Sequence, residues 1–142
     1  MAIGHITVEA DPAEVLALLT DLTGMLDWTA AEAVEVMAHD TAGRPTLARW
    51  QERYGPVPDE FVLEYDWDDD GVSWRLTQGR VLKTEDGRYT LRPAPGGGTA
   101  ISYSLRLGLA IWIPQCVRSR IESGVVESTL SALKNRIEEP CG

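Results

Sequence analysis

Apolar and polar residues alternate with period two over most of this chain, and the period changes to between three and four near Pro114. His5 to Glu9 alternates with Ile6 and Val8 on one side, which predicts a short first strand. Asp11-Pro12-Ala13-Glu14 then marks a helix start, since Asp11 can cap, Pro12 suits the first turn and Glu14 can reach back to the cap. That helix carries Val15, Leu16, Leu18 and Leu19 and stops near Asp21, and Met25 to Trp28 predicts a second, very short one. Period two returns with Val34 and Val36, and resumes from Pro45 to Tyr54 after a turn at Asp40 to Gly43. Gly55-Pro56-Val57-Pro58 ends that strand. Phe61, Leu63, Tyr65 and Trp67 form the apolar side of the next, and Asp68 to Gly71 supplies a hairpin turn. Val72, Trp74 and Leu76 open a strand predicted to bulge at Gln78-Gly79 and continue through Val81-Leu82-Lys83. Asp86-Gly87 predicts another turn, and Tyr89 and Leu91 a sixth strand. After Pro95 to Gly98, Thr99 to Leu109 is the longest strand, with Ile101, Tyr103, Leu105, Leu107 and Leu109 on one face.

The last stretch, Pro114 to Glu138, reads as one helix. Cys116, Ser119, Ser123, Val126, Leu130, Leu133 and Ile137 recur at spacings of three and four and share a face. The C-terminal half of that face is aliphatic, while its N-terminal half is small and weakly polar, as suits turns that look into a cavity. A second stripe, Val117, Ile121 and Val125, lies nearly opposite. It must stay exposed, meet a partner such as a second copy in a homodimer, or turn inward through a kink at Gly124. Tight turns between successive strands make the sheet antiparallel. The expected architecture is α+β: a seven-stranded curved sheet wrapped around a C-terminal helix of ~37 Å, with two short helices after the first strand. A curved sheet closed by one helix leaves a gap between them, and the gap predicts a ligand cavity.

At 142 residues the chain predicts one domain, 1–142, long enough to bury roughly 68–70 % of its unfolded surface. A net charge of −9 argues against nucleic acid and anionic lipid as partners, and serves solubility. Cys116 and Cys141 are too few for a disulfide framework. Met1 to His5 does not read as a signal peptide, and no apolar run reaches the ~20 residues of a membrane span. A soluble, cytoplasmic protein with reduced thiols is expected, without cofactor. No metal site is expected either. Asp66-x-Asp68-x-Asp70-Gly71 resembles the start of a calcium loop but has Thr77 where a bidentate glutamate is needed.

Glu52 is the acid that stands out, because strand parity puts it on the apolar face between Trp50 and Tyr54. A carboxyl there would be desolvated, raised in pKa and suited to general acid or base work. It would equally serve as wall, reaching water at the strand end or pairing with an arginine. Tyr54, Tyr65, Tyr89 and Tyr103 fall on inward parities and can orient an oxygen or line a wall. Trp50, Trp67 and Trp74 suit a planar or polyene ligand or a filled core. Phe61 and Leu63 continue the predicted lining, Trp28 is a further ligand-binding candidate, and Cys116, Ser119 and Ser123 face the lining from the helix.

The order of elements resembles the START and birch-pollen-allergen-like (SRPBCC) superfamily with its helix-grip fold, and within it the bacterial polyketide cyclase/dehydrase or coenzyme Q-binding-like branch. The similarity runs through Ile6 to Val15, Asp21-Leu22, Trp28, Leu63 to Trp67, Val72 to Leu76, Leu82-Lys83, Asp86 to Leu91, Gly97 to Thr99 and Leu130 to Glu138. It implies an internal site for a hydrophobic, polyketide- or lipid-like molecule. Three functions follow from it: a cyclase or dehydratase, a carrier without chemistry, and a protein-interaction module. The departures, Thr23 to Ala31 and Trp50 to Pro58, fall where the family has its pocket entrance and pocket wall, so the resemblance implies a ligand particular to this chain.

Overall fold

The computed structural model describes residues 1–54, 56–110 and 112–138, Tyr54 in its backbone only. Strand β1 (Ala2–Val8) is followed by helix α1 (Pro12–Thr20) and a 3-10 turn (Gly24–Asp27). Six strands follow: β2 (Ala33–His39), β3 (Pro45–Tyr54), β4 (Val57–Asp68), β5 (Gly71–Gly79), β6 (Leu82–Pro93) and β7 (Thr99–Leu109). Helix α2 (Gln115–Glu138) ends the described chain. The seven strands form one antiparallel sheet in the order β1-β7-β6-β5-β4-β3-β2. This is the helix-grip arrangement expected from the change of period at Pro114. Asp11 caps α1 as its spacing predicts, its Oδ1 accepting the Glu14 N–H at 2.9 Å.

One boundary differs from the expectation. The strand break lies at Arg80-Val81, and β6 runs unbroken through Asp86-Gly87. Asp59 fixes the true turn. Its Oδ1 accepts the N–H groups of Arg80 and Val81 at 3.2 and 2.9 Å, and its Oδ2 that of Leu82 at 3.0 Å. Gly87 stays in the strand because the Trp74 indole of β5 lies across it, in the space a Cβ would need.

Core residues come from the concave face of the sheet and from one side of α2. Val126, Leu130 and Leu133 are buried against β1 and β7, and the close approach requires Gly4, where a Cβ would strike Val126 and Leu130. Removing these aliphatic chains from water, at about 1.5–3 kcal/mol each, anchors the C-terminal half of α2. Earlier along the helix the packing changes. Val117, Ile121 and Val125 are exposed rather than turned inward, and α2 is a single helix through Gly124. No described helix is long and apolar enough to cross a membrane.

Candidate functional site

Inward-facing residues of the sheet are buried except at one end. Val72, Trp74, Tyr89, Leu91, Ile101, Tyr103 and Leu105 are closed off, whereas Glu52, Leu76, Glu85, Leu107 and Leu109 remain half-buried. The register explains the grouping. Glu85 stands opposite Leu107, and Leu76 and Leu109 occupy the same ends of β5 and β7. β7 ends here at Leu109, and α2 begins only six residues later in the chain, at Gln115. The concave face therefore has an aromatic floor and one partly exposed end, its mouth, where apolar side chains and two carboxyls remain half-buried.

Aromatic rings hold the floor together. Trp74 packs on Tyr65, Tyr89 and Tyr103 with centroids 6.3, 5.2 and 5.7 Å away, and Tyr89 meets Tyr103 at 4.7 Å. Such pairs add about 0.5–1.5 kcal/mol each beyond area burial. The Trp50 indole N–H donates to the Tyr65 hydroxyl at 2.8 Å, leaving that hydroxyl able to donate its own proton. Burial pushes the phenols of Tyr65, Tyr89 and Tyr103 above the ordinary tyrosine range, so all three keep their protons at neutral pH.

Glu52 lies on the concave face as parity predicted, half-buried and directly opposite Asp59 in the register. Among the described residues no donor reaches its carboxyl. Burial raises its pKa, and the negative charge of Asp59 raises it further. Glu52 keeps partial contact with water, and among the described residues it pairs with no arginine. Sequence reasoning missed the second acid, Glu85, because it expected a turn at Asp86-Gly87. Burial pushes the Glu85 carboxyl up to about 7, against the opposing Trp74 hydrogen bond and with added repulsion from Glu52 and Asp86. The Trp74 Nε1–H donates to Glu85 Oε2 at 2.7 Å. The pattern held the signal: Tyr89 and Leu91 set an inward parity that runs back through Gly87 to Glu85.

Of the other expected lining residues, Trp50, Phe61, Leu63, Tyr65, Trp74, Tyr89 and Tyr103 are buried on the concave face. The Tyr54 side chain lies outside the described residues, as does Cys141. Cys116, Ser119 and Ser123 are exposed, although helical spacing places them on the Val126–Leu130 side of α2. Trp28 sits elsewhere. It borders a hollow of about 530 Å³ between the 3-10 turn and the last turns of α2, with Asp27, Asn135 and Arg136. That hollow contains neither Glu52 nor Glu85 and none of the aromatic floor.

Comparison with known proteins agrees with this architecture. The model of the family described as polyketide cyclase / dehydrase and lipid transport matches residues 4–138. Among curated proteins none matches. A START superfamily protein from Mycobacterium smegmatis superposes with a TM-score of 0.90 at 16% identity, covering 97% of each chain. A protein from Thermus thermophilus does so with a TM-score of 0.82 at 24% identity, over 96% of this chain and 95% of that one. The Zhui aromatase/cyclase from a Streptomyces species gives a TM-score of 0.73 at 15% identity, over 96% of this chain and 92% of that one. At these identities the likeness is one of fold.

Proposed function

Since the chain belongs to the polyketide cyclase / dehydrase and lipid transport family, we propose that it binds a hydrophobic, carbonyl-bearing molecule of polyketide type at the mouth of the concave face and catalyses a cyclase- or dehydratase-like proton transfer there. Glu52 carries the reading. It is an acid raised by burial, unmet by any donor among the described residues, at the point where the apolar wall reaches solvent. Leu76, Leu107 and Leu109 offer the chain of the substrate an apolar seat, and the tyrosine hydroxyls can hold its oxygens. Tyr54, two residues along β3, is assigned the same face as Glu52. Cys116, Ser119 and Ser123 are proposed to border the mouth from α2. A seat of this kind contributes by holding a flexible chain in a reactive geometry, which can supply much of the rate.

The test begins with native mass spectrometry for a co-purified ligand, which supplies a substrate scaffold. Glu52→Gln keeps the shape of the side chain and removes the transferable proton. Turnover is expected to fall by about 10²–10⁴-fold with affinity nearly unchanged. Full turnover in the variant would overturn the catalytic role. A ligand bound equally by both proteins and altered by neither would make the chain a carrier.

A further inference from the structure

We propose that Glu85 is the second reacting carboxyl of this site, forming with Glu52 a pair that holds one proton, Glu85 as the acid and Glu52 as the base. Sheet geometry places both carboxyls inward and half-buried at the same end of the concave face; their use in catalysis rests on the function proposed above. Glu85 faces inward at the beginning of β6, opposite Leu107. Gly87, two residues on, leaves room for the Trp74 indole to lie along β6, and the ring is held on its other sides by Tyr65, Tyr89 and Tyr103. The indole N–H thereby fixes one oxygen of Glu85 at 2.7 Å. Among the described residues no donor meets the other oxygen, which is left for a substrate. Glu52 faces the same end from β3, opposite Asp59, whose Oδ2 meets the Leu82 N–H at the start of β6, and its negative charge disfavours that of Glu85.

Two carboxyls so placed in an apolar wall do not both ionise readily, and their titration belongs to the pair. The other groups around it keep that bias. Asp59 on β4 and Asp86 on β6 add negative charge, Glu122 of α2 occupies the N–H of Leu107, and the phenols of β4, β6 and β7 stay neutral.

Such a pair suits a 3-hydroxy carbonyl compound. The Glu52 carboxylate takes the proton from the carbon next to the carbonyl, and the electron pair of that C–H bond becomes the new C=C bond. The C–O bond breaks, and the departing hydroxyl takes the Glu85 proton and leaves as water. The pair ends with its single proton on Glu52, and one transfer back to Glu85 restores it. No other reagent is consumed.

The indole N–H of Trp74 is a built-in reporter. In ¹H–¹⁵N spectra of the labelled protein, with Trp74→Phe identifying the signal, its resonance is expected to titrate with a midpoint near 7. Glu52→Gln should lower that midpoint by removing a like charge, and Glu85→Gln should abolish the titration. A Trp74 signal flat across neutral pH, or a midpoint unmoved in Glu52→Gln, would overturn the pair. Should Glu85→Gln fold poorly, the wild type and Glu52→Gln decide alone. Dehydration of an aryl-tailed 3-hydroxyacyl thioester gives the second arm. Glu85→Gln should lose about 10²–10⁴-fold and the alkaline limb of the pH profile. Glu85→Gln at full rate beside a slow Glu52→Gln would overturn the role of Glu85 and leave the proposed function standing. Glu52→Gln at full rate overturns that function, while the titration still decides the pair.

Discussion

Glu122 on the helix–sheet seam and Glu85 on the concave wall are both acids placed among apolar residues, and their surroundings differ in kind. Glu122 is 1% exposed and met on both oxygens, by the Met1 amine at 3.1 Å and the Leu107 N–H at 2.7 Å. The second contact has a clear cause. β1 reaches only to Ala2 opposite Leu105, so Glu122 takes a β7 amide that the neighbouring strand no longer pairs. Asp59 is treated the same way, accepting three backbone N–H groups at the β5–β6 turn. On the concave wall Glu85 has one donor and Glu52 none among the described residues. An acid whose acceptors are filled organises backbone. An acid held in an apolar wall with acceptors open keeps its free energy available for a proton or a substrate.

The comparison breaks first, and most visibly, at Asp59. Asp59→Ala would leave up to three amides of a part-buried turn without their acceptor. At roughly 1–3 kcal/mol per unmet group, with some rescue by water, the expected loss is about 4 kcal/mol. Guanidinium denaturation at neutral pH measures it, and a loss below about 1 kcal/mol would remove Asp59 from the organising class. Next comes Glu85→Gln, with the opposite sign. The ordinary glutamate value of 4.5 applies to the unfolded chain, and burial raises it to about 7 in the fold. Between these values the folded chain holds a proton that the unfolded chain has lost, so wild-type stability falls as pH rises through this window. Glutamine has no such dependence. Its advantage should be absent near pH 4, grow across the window and level off above about 7 at about 3 kcal/mol, taking roughly 1.4 kcal/mol per unit. A constant difference across that range would place the Glu85 carboxyl in water.

Much of this was legible in the sequence, and the failures share a cause. Period-two alternation located seven strands, and Asp11-Pro12 located α1, because those signals are local. Glu52 was legible because its neighbours on the same parity, Trp50 and Ala48, are apolar and fully buried. The β5–β6 break was misplaced because its determinant, Asp59, lies 21 to 23 residues from the amides it binds. Asp-Gly is a turn signal by local chemistry, but at Gly87 the missing side chain makes room for an indole from another strand. That single misreading hid Glu85. The helix face was legible only in its aliphatic half. Val126, Leu130 and Leu133 find the sheet, whereas Ser119 and Ser123 stay exposed, with nothing in the spacing to say how far the first turns stand from the wall.

The smallest expected effect is the sharpest test, because it repeats the Glu85 substitution at the seam. Glu122→Gln keeps an oxygen that can accept the Leu107 N–H, so the edge of β7 need not lose its partner. It turns an –NH2 donor toward the Met1 amine, so that contact is lost, and it gives up the charge-assisted part of the Leu107 contact. Hydrogen bonds to charged groups are worth about 1.5–3 kcal/mol, against about 1 for neutral ones. Cheaper desolvation of the amide offsets part of that difference. The net expectation is a loss of about 1 kcal/mol at neutral pH, read as a lower denaturation midpoint with an unchanged slope. The same exchange of carboxylate for amide should then stabilise at Glu85 and destabilise at Glu122. Finding that Glu122→Gln also gains stability would mean that filled acceptors do not compensate Glu122 for leaving water. The contrast between an organising acid and a poised one would fall with it.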